Sequence, residues 1–86
     1  MEKAWVSTEE VCAAVEKTPK TILRWARLGL LPRFEVVYAR GKSVRWPSHA
    51  PDQARWVDTQ LRSGFTFDEI GESLKRGEYT PPKTVE

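Results

Sequence analysis

The sequence contains little of what several classes of protein need. Cys12 is the only cysteine and His49 the only histidine among 86 residues, so no internal disulfide forms and no ordinary zinc cage can be assembled. No apolar run approaches the roughly 18 residues of a membrane-spanning helix, and residues 1–5 lack the pattern of a signal peptide. We therefore expect a cytoplasmic protein in a reducing compartment, with neither a metal nor a membrane as its partner.

The length limits what the chain can enclose. Its 86 residues, 40% hydrophobic and 30% charged, have the composition of one ordinary globular domain. So small a core leaves little room for a buried pocket, and the carboxylates of the last predicted helix lie on its exposed side: Asp68, Glu69 and Glu72. We therefore expect no enzymatic activity and no cofactor.

Charge is distributed unevenly along the chain, although the net charge is only +2. Residues 20–46 hold seven basic residues and one acidic residue, a net charge of +6, whereas residues 1–19 and 47–86 each carry a net charge of −2. A basic block between acidic flanks concentrates positive potential in one region, as expected for a protein that binds a polyanion. A solvated surface with uneven charges is the alternative explanation.

Two short helices are predicted in the first third of the chain. Ser7 and Glu10 have the S-x-x-E spacing of a capping box, and Val6 precedes the cap as a hydrophobic staple. Thr18 is a favourable N-cap for the second helix, with Pro19 at its first position. Two helices separated by so short a break are typical of a helix-turn-helix.

The second helix has an apolar face and a cationic face. Its buried stripe is predicted from four residues at helical spacing: Ile22, Trp25, Ala26 and Gly29. The opposite face carries three basic residues at i, i+4 and i+7: Lys20, Arg24 and Arg27. We expect this helix to run through Leu28 and to end at Gly29, the residue best suited to a left-handed C-terminal conformation. Leu23 lies at the boundary of the two faces, where it can be exposed.

A β-hairpin is predicted after the second helix. Residues 34–39 and 43–46 are rich in strand formers, and residues 40–42 between them form a basic turn that contains glycine. A lone hairpin is only marginally stable, so we expect it to pack on the helices through three residues: Val37, Val44 and Trp46.

Two more helices are predicted in the C-terminal half. The first opens at Ser48 or Pro51 and runs through Arg62, with an apolar face made by Ala54, Val57 and Leu61. The second begins with a capping box, Thr66 with Glu69, and its buried side carries Phe67, Ile70 and Leu74. We expect a domain over residues 1–77, followed by a flexible tail or the start of a linker over residues 78–86.

Three segments resemble the MerR-like and excisionase-like winged helix-turn-helix superfamily. Residues 21–32, Thr-Ile-Leu-Arg-Trp-Ala-Arg-Leu-Gly-Leu-Leu-Pro, are similar to the family's second helix and its Gly-Leu-Leu-Pro ending. Val-Arg-Trp-Pro at residues 44–47 resembles the segment that closes the wing, and residues 61–70 resemble the stretch that joins the last two helices. Together the resemblance covers about residues 5–76.

The resemblance implies a mainly α winged helix-turn-helix fold: a helix-turn-helix, a two-stranded wing hairpin and two C-terminal helices. It implies sequence-specific binding to double-stranded DNA, with the second helix in the major groove and the wing on the phosphate backbone. Four residues at the motif positions are the implied contacts: Thr21, Arg24, Trp25 and Arg45. The N-cap and the charge pattern add five more candidates: Thr18, Lys20, Arg27, Arg40 and Lys42.

Several of these residues have alternative roles. The planar fork of Arg24 suits guanine or phosphate, but Arg24 can also cover the core and pair with a glutamate. The lysines and the other arginines suit phosphate contacts, and those at the hairpin tip can also enter a minor groove. The tryptophans invite a base-stacking hypothesis, but their spacing favours the core, with Trp5 capping one end of it. Cys12 is expected to be a small buried hydrophobe, and His49 a surface or capping residue.

The resemblance points to a bacterial transcription regulator or an excisionase-like recombination accessory protein, associated with the nucleoid. MerR-type regulators dimerise through a long antiparallel coiled coil, which these 86 residues do not contain. Two alternatives stay open: a standalone protein that associates with itself on DNA, or an N-terminal module of a longer chain.

A protein-interaction adaptor that uses the same fold is the alternative from another class. An exposed Leu23 and the acidic last helix would form its surface. The two functions are distinguished by whether the cations of the second helix form a continuous positive face with the hairpin tip, or whether Glu35 and other acids cancel it.

Overall fold

Four helices and a three-stranded antiparallel sheet make up most of residues 5–38 and 41–80, the part of the chain that the computed structural model describes. In chain order the elements are β1 (Trp5–Ser7), α1 (Thr8–Val15), α2 (Pro19–Arg27), β2 (Glu35–Tyr38), β3 (Lys42–Pro47), α3 (Ala50–Arg62) and α4 (Phe67–Lys75). No helix in these residues is both long and apolar enough to cross a membrane.

The start of α1 is closed by the predicted capping box. The backbone N–H of Glu10 donates to Ser7 Oγ at 3.1 Å, and the N–H of Ser7 donates to Glu10 Oε1 at 3.3 Å. The helix ends at Glu16, whose backbone is left-handed, with φ +56°. The chain then turns within two residues into the next helix.

The ends of α2 are fixed by local sequence. Thr18 accepts a hydrogen bond from the N–H of Thr21, and Pro19 occupies the first turn, as predicted. At the other end the N–H of Leu30 donates to the carbonyl of Trp25 and that of Gly29 to the carbonyl of Ala26, which is a Schellman motif. The motif requires a left-handed residue, and Gly29 supplies it with φ +80°. Gly29 is therefore exposed at the helix end, and its predicted place in the buried stripe was wrong.

The sheet has the order β1-β3-β2, so the predicted hairpin is present but carries a third strand. Val6 pairs with Trp46 across β1 and β3. Val6 was predicted only as a hydrophobic staple, because a three-residue strand next to a helix cap gives no local signal for a partner forty positions away.

The register of the hairpin assigns its faces. Val36 pairs with Val44, so both lie on the face that carries the buried Trp46, whereas Val37 pairs with Ser43 on the opposite face. Val37 was therefore wrongly predicted to pack on the helices, because the register places it on the sheet face opposite Trp46. Val44 and Trp46 do contact the core, as expected.

Two side-chain hydrogen bonds, one buried and one partly buried, connect separate elements of the fold. The indole N–H of Trp46 donates to Thr8 Oγ1 at 2.9 Å, which links the central strand to α1. The side-chain amide of Gln53 donates to the carbonyl of Leu30 at 2.8 Å, which links α3 to the turn after α2. Each satisfies a polar group that would otherwise be buried without a partner. The turn that follows α2 is thus fixed to α3 by the bond from Gln53.

The last two helices form as predicted, apart from the start of α3. This helix begins at Ala50, with the half-buried His49 at the N-cap making no side-chain capping bond. Thr66 and Glu69 form the second capping box, and Ile70, on the inner face of α4, is 1% exposed. The chain remains packed as far as Tyr79, whose hydroxyl donates to Asp52 at 2.8 Å. The rest of the predicted tail, residues 81–86, lies outside the described residues.

Candidate nucleic-acid interface

The cationic face of α2 is the most prominent charged feature of the basic block. Lys20, Arg24 and Arg27 are all exposed, and the helix contains no acidic residue. Among the residues that the structure describes, no carboxylate lies within salt-bridge distance of any of the three. At about 1.5 Å rise per residue the row spans about 10 Å, a length that fits within a major groove about 12 Å wide.

The helix is oriented by its own apolar face. Ile22 is 0% and Trp25 2% exposed, so both anchor α2 in the core and turn the cationic row outward. Trp25 therefore has almost no surface left for a ligand. Trp25 is a core residue, and its buried position does not support the DNA contact that the resemblance implies.

Arg24 is held by an aromatic ring of the last helix. Its guanidinium carbon lies 5.8 Å from the ring centroid of Phe67, the first residue of α4, at the outer range of a cation–π contact. The pairing with a glutamate that was considered as an alternative is not found in the described residues. Arg24 thus has no acidic partner for its N–H donors among the described residues, while its guanidinium lies near the ring of Phe67.

The threonines at the start of α2 form hydrogen bonds with each other at the helix N-terminus. Thr18 Oγ1 accepts from the N–H of Thr21 at 3.3 Å, and the two hydroxyl oxygens are 3.2 Å apart. Thr18 is exposed and Thr21 half-buried, so Thr18 is the more accessible of the two candidates at this end of the row.

Arg45 is placed differently from the cations of α2. It pairs with Glu35 across β2 and β3, through Nε at 2.9 Å and through a second guanidinium nitrogen. Its guanidinium also lies 4.2 Å from the ring centroid of Trp5, on the sheet face away from the core. The negative charge of Glu35 is therefore paired with Arg45, and Glu35 forms no ion pair with a cation of α2. Trp5 lies under this ion pair and does not cap the core.

The hairpin tip is described only in part. Arg40 lies outside the described residues, and Lys42 is placed as the first residue of β3 by its backbone alone. Sequence reasoning did not select two further residues of this region, Arg33 and Tyr38. Arg33 is exposed and unpaired among the described residues, and Tyr38 is 77% exposed. Arg33 could have been selected as a candidate contact because it lies within the basic block of residues 20–46.

The structure gives less support to an adaptor surface on α2. Leu23, expected to be exposed, is half-buried and packs against the core. The acidic residues of α4 are exposed, but Glu69 is used by the capping box and Glu72 lies 3.6 Å from Lys75. The carboxylates of Glu69 and Glu72 therefore already interact with groups of α4 and its N-cap.

Cys12 and the possible metal ligands are placed as follows in the part of the chain described. Burial raises the pKa of the Cys12 thiol, which is 9% exposed, so it remains protonated and apolar. In residues 5–38 and 41–80 no three histidine, cysteine, aspartate or glutamate side chains are grouped to hold a metal ion.

Comparison of the chain with models of known protein families, with curated proteins and with solved structures gives no match. The proposals below therefore stand on the geometry of the chain and on the sequence resemblance.

Proposed function

We propose that the protein binds double-stranded DNA as a winged helix-turn-helix domain, with α2 in the major groove and the β2–β3 hairpin beside it. The observation that carries the proposal is the row of three exposed cations on α2, none of which has an acidic partner among the described residues. A helix with one face fixed in the core and the other uniformly cationic matches the requirement for groove docking.

The connections of α2 support this role. The short break from α1, the Schellman motif at Gly29 and the bond from Gln53 to Leu30 fix both ends of the helix relative to the core. A recognition helix must be held rigidly, because base contacts need donors placed within a narrow range of positions. Arg24, whose guanidinium lies near the ring of Phe67, is the candidate for reading a base, and Lys20 and Arg27 are the candidates for phosphates.

The proposed biological setting follows from the resemblance. A MerR-like or excisionase-like domain would serve a transcription regulator or a recombination accessory protein. One copy neutralises about four to six phosphates at most, so we expect modest affinity for a single domain. High specificity then requires two or more copies on one DNA molecule.

A titration of labelled duplex DNA tests the proposal. We expect the fluorescence anisotropy of a duplex of about 16 base pairs to rise on addition of the protein, and log K to fall against log salt with a slope of about −4 to −5. A single strand of the same length, used as the competitor, should displace the duplex only at higher concentration. Absence of binding at about 50 mM salt, where phosphate contacts are strong, would contradict the proposal.

A further inference from the structure

Tyr38 has an unusual position among the aromatic residues of this chain. It is 77% exposed, whereas the next most exposed large apolar residues, Leu28 and Phe65, are each 47% exposed. Trp25 and Trp46 are buried. A single exposed apolar residue needs no explanation in itself. The position of the Tyr38 ring on the hairpin is what distinguishes it.

The second tyrosine of the chain provides a direct comparison. Tyr79 packs its ring 5.4 Å from that of Trp56 and donates its hydroxyl to Asp52. Tyr38 has no ring contact and no hydrogen bond from its hydroxyl among the described residues. Both its apolar ring and its polar hydroxyl are therefore available to a ligand.

The sheet register sets the direction of the Tyr38 side chain. Tyr38 pairs with Lys42 at the end of β2, one step beyond the pair of Val37 with Ser43. Since side chains alternate along a strand, Tyr38 shares the face of Val36, which also carries Trp46. The ring thus extends the helix-facing side of the hairpin past the end of the core.

The sequence around Tyr38 has the charge that a DNA ligand requires. Arg40 follows it by two positions and Lys42 is its cross-strand partner, while no acidic residue occurs in residues 36–46. An amphipathic ring in a segment whose sequence is basic complements a phosphate backbone with its less polar sugars. An apolar protein partner would not need the flanking cations.

We propose that Tyr38 contacts the DNA directly, its ring packing against the sugars and base edges of the groove next to that occupied by α2. This inference rests on the proposed function. The contact is non-ionic, so it adds affinity without releasing counterions and leaves the salt dependence of binding unchanged. It is thereby distinguished from the contacts of the α2 cations, each of which contributes to the slope.

Replacement of the ring tests the inference. We expect Tyr38→Ala to weaken duplex binding about 10-fold, since the contact of an aromatic ring with the DNA is lost, with the slope of log K against log salt unchanged. Tyr38→Phe, which keeps the ring, should retain most of the affinity. Phe65→Ala is the matched control, because it removes another exposed aromatic ring that lies outside the basic block, and it should bind as the wild type does.

The outcomes separate this inference from the proposed function. Wild-type affinity in Tyr38→Ala, or an equal loss in Phe65→Ala, would overturn the role of Tyr38 while leaving DNA binding by α2 in place. A loss in Tyr38→Ala that comes with a shallower salt slope would also overturn it, because the effect would then be ionic. Failure of the wild-type protein to bind duplex at low salt would overturn both proposals.

Discussion

Replacement of Lys20, Arg24 and Arg27 together by glutamine is expected to lower the affinity for duplex DNA by on the order of 10²–10³-fold at low salt. Each lost cation should also make the slope of log K against log salt shallower by about one unit. Glutamine removes the charge, keeps part of the aliphatic stem with a polar end, and has a high helix propensity, so α2 should remain folded. The measurement is an anisotropy titration at several salt concentrations, with circular dichroism to confirm the fold.

A matched variant removes the same charge from other surfaces. Arg55, Lys75 and Arg76 are exposed on α3 and at the end of α4, which are elements other than the one that carries the cationic row. Their replacement by glutamine lowers the net charge by the same three units, and we expect a loss of affinity of less than about 5-fold, by long-range electrostatics alone. Equal losses in the two triple variants would mean that net charge, and not the face of α2, determines binding.

Replacement of Trp46 by alanine is expected to have the largest effect on stability. Trp46 is 0% exposed, lies in the central strand, contacts Phe34 with ring centroids 5.0 Å apart and donates its indole N–H to Thr8. Removal of so large a buried ring costs about 3–5 kcal/mol, a large part of the roughly 4–13 kcal/mol expected for a chain of this size. In thermal unfolding followed by circular dichroism, the midpoint should fall by about 15 °C or more.

Trp5→Ala is the control for this prediction. Trp5 lies on the next strand but on the opposite sheet face, where it is half-buried under Arg45. Its removal forfeits a partly exposed cation–π contact, and we expect a loss of about 1 kcal/mol. If Trp5→Ala were as destabilising as Trp46→Ala, the assignment of the two sheet faces would be wrong.

Local signals in the sequence predict most of the helical structure. Both capping boxes form, Thr18 caps α2, and the glycines at positions 29, 64 and 77 each adopt positive φ just after a helix. These features depend on residues three or four positions apart, whose interactions are set by the helix geometry itself. The exposure of Lys20, Arg24 and Arg27 follows from the same periodicity, once Ile22 and Trp25 are buried.

Features that depend on distant pairings were not predictable in the same way. The strand β1 forms where Val6 pairs with Trp46, and the face of Val37 depends on a register that two adjacent valines do not set locally. The contacts of the candidate site depend on distant pairings in the same way. Glu35 and Arg45 are ten positions apart in sequence, and only the register of β2 with β3 makes them a pair. No spacing rule indicates that Arg45 is held while Arg24 has no acidic partner among the described residues.

We propose above all that α2 and the β2–β3 hairpin both contact one duplex DNA molecule. Mapping of backbone amide chemical shifts on addition of a duplex of about 16 base pairs, at low and at moderate salt, tests it most directly. We expect shifts confined to residues 18–27 and 38–46, which diminish as the salt concentration rises. No shifts at low salt, or shifts concentrated on α3 and α4, would contradict the claim and would indicate that this domain docks a different partner.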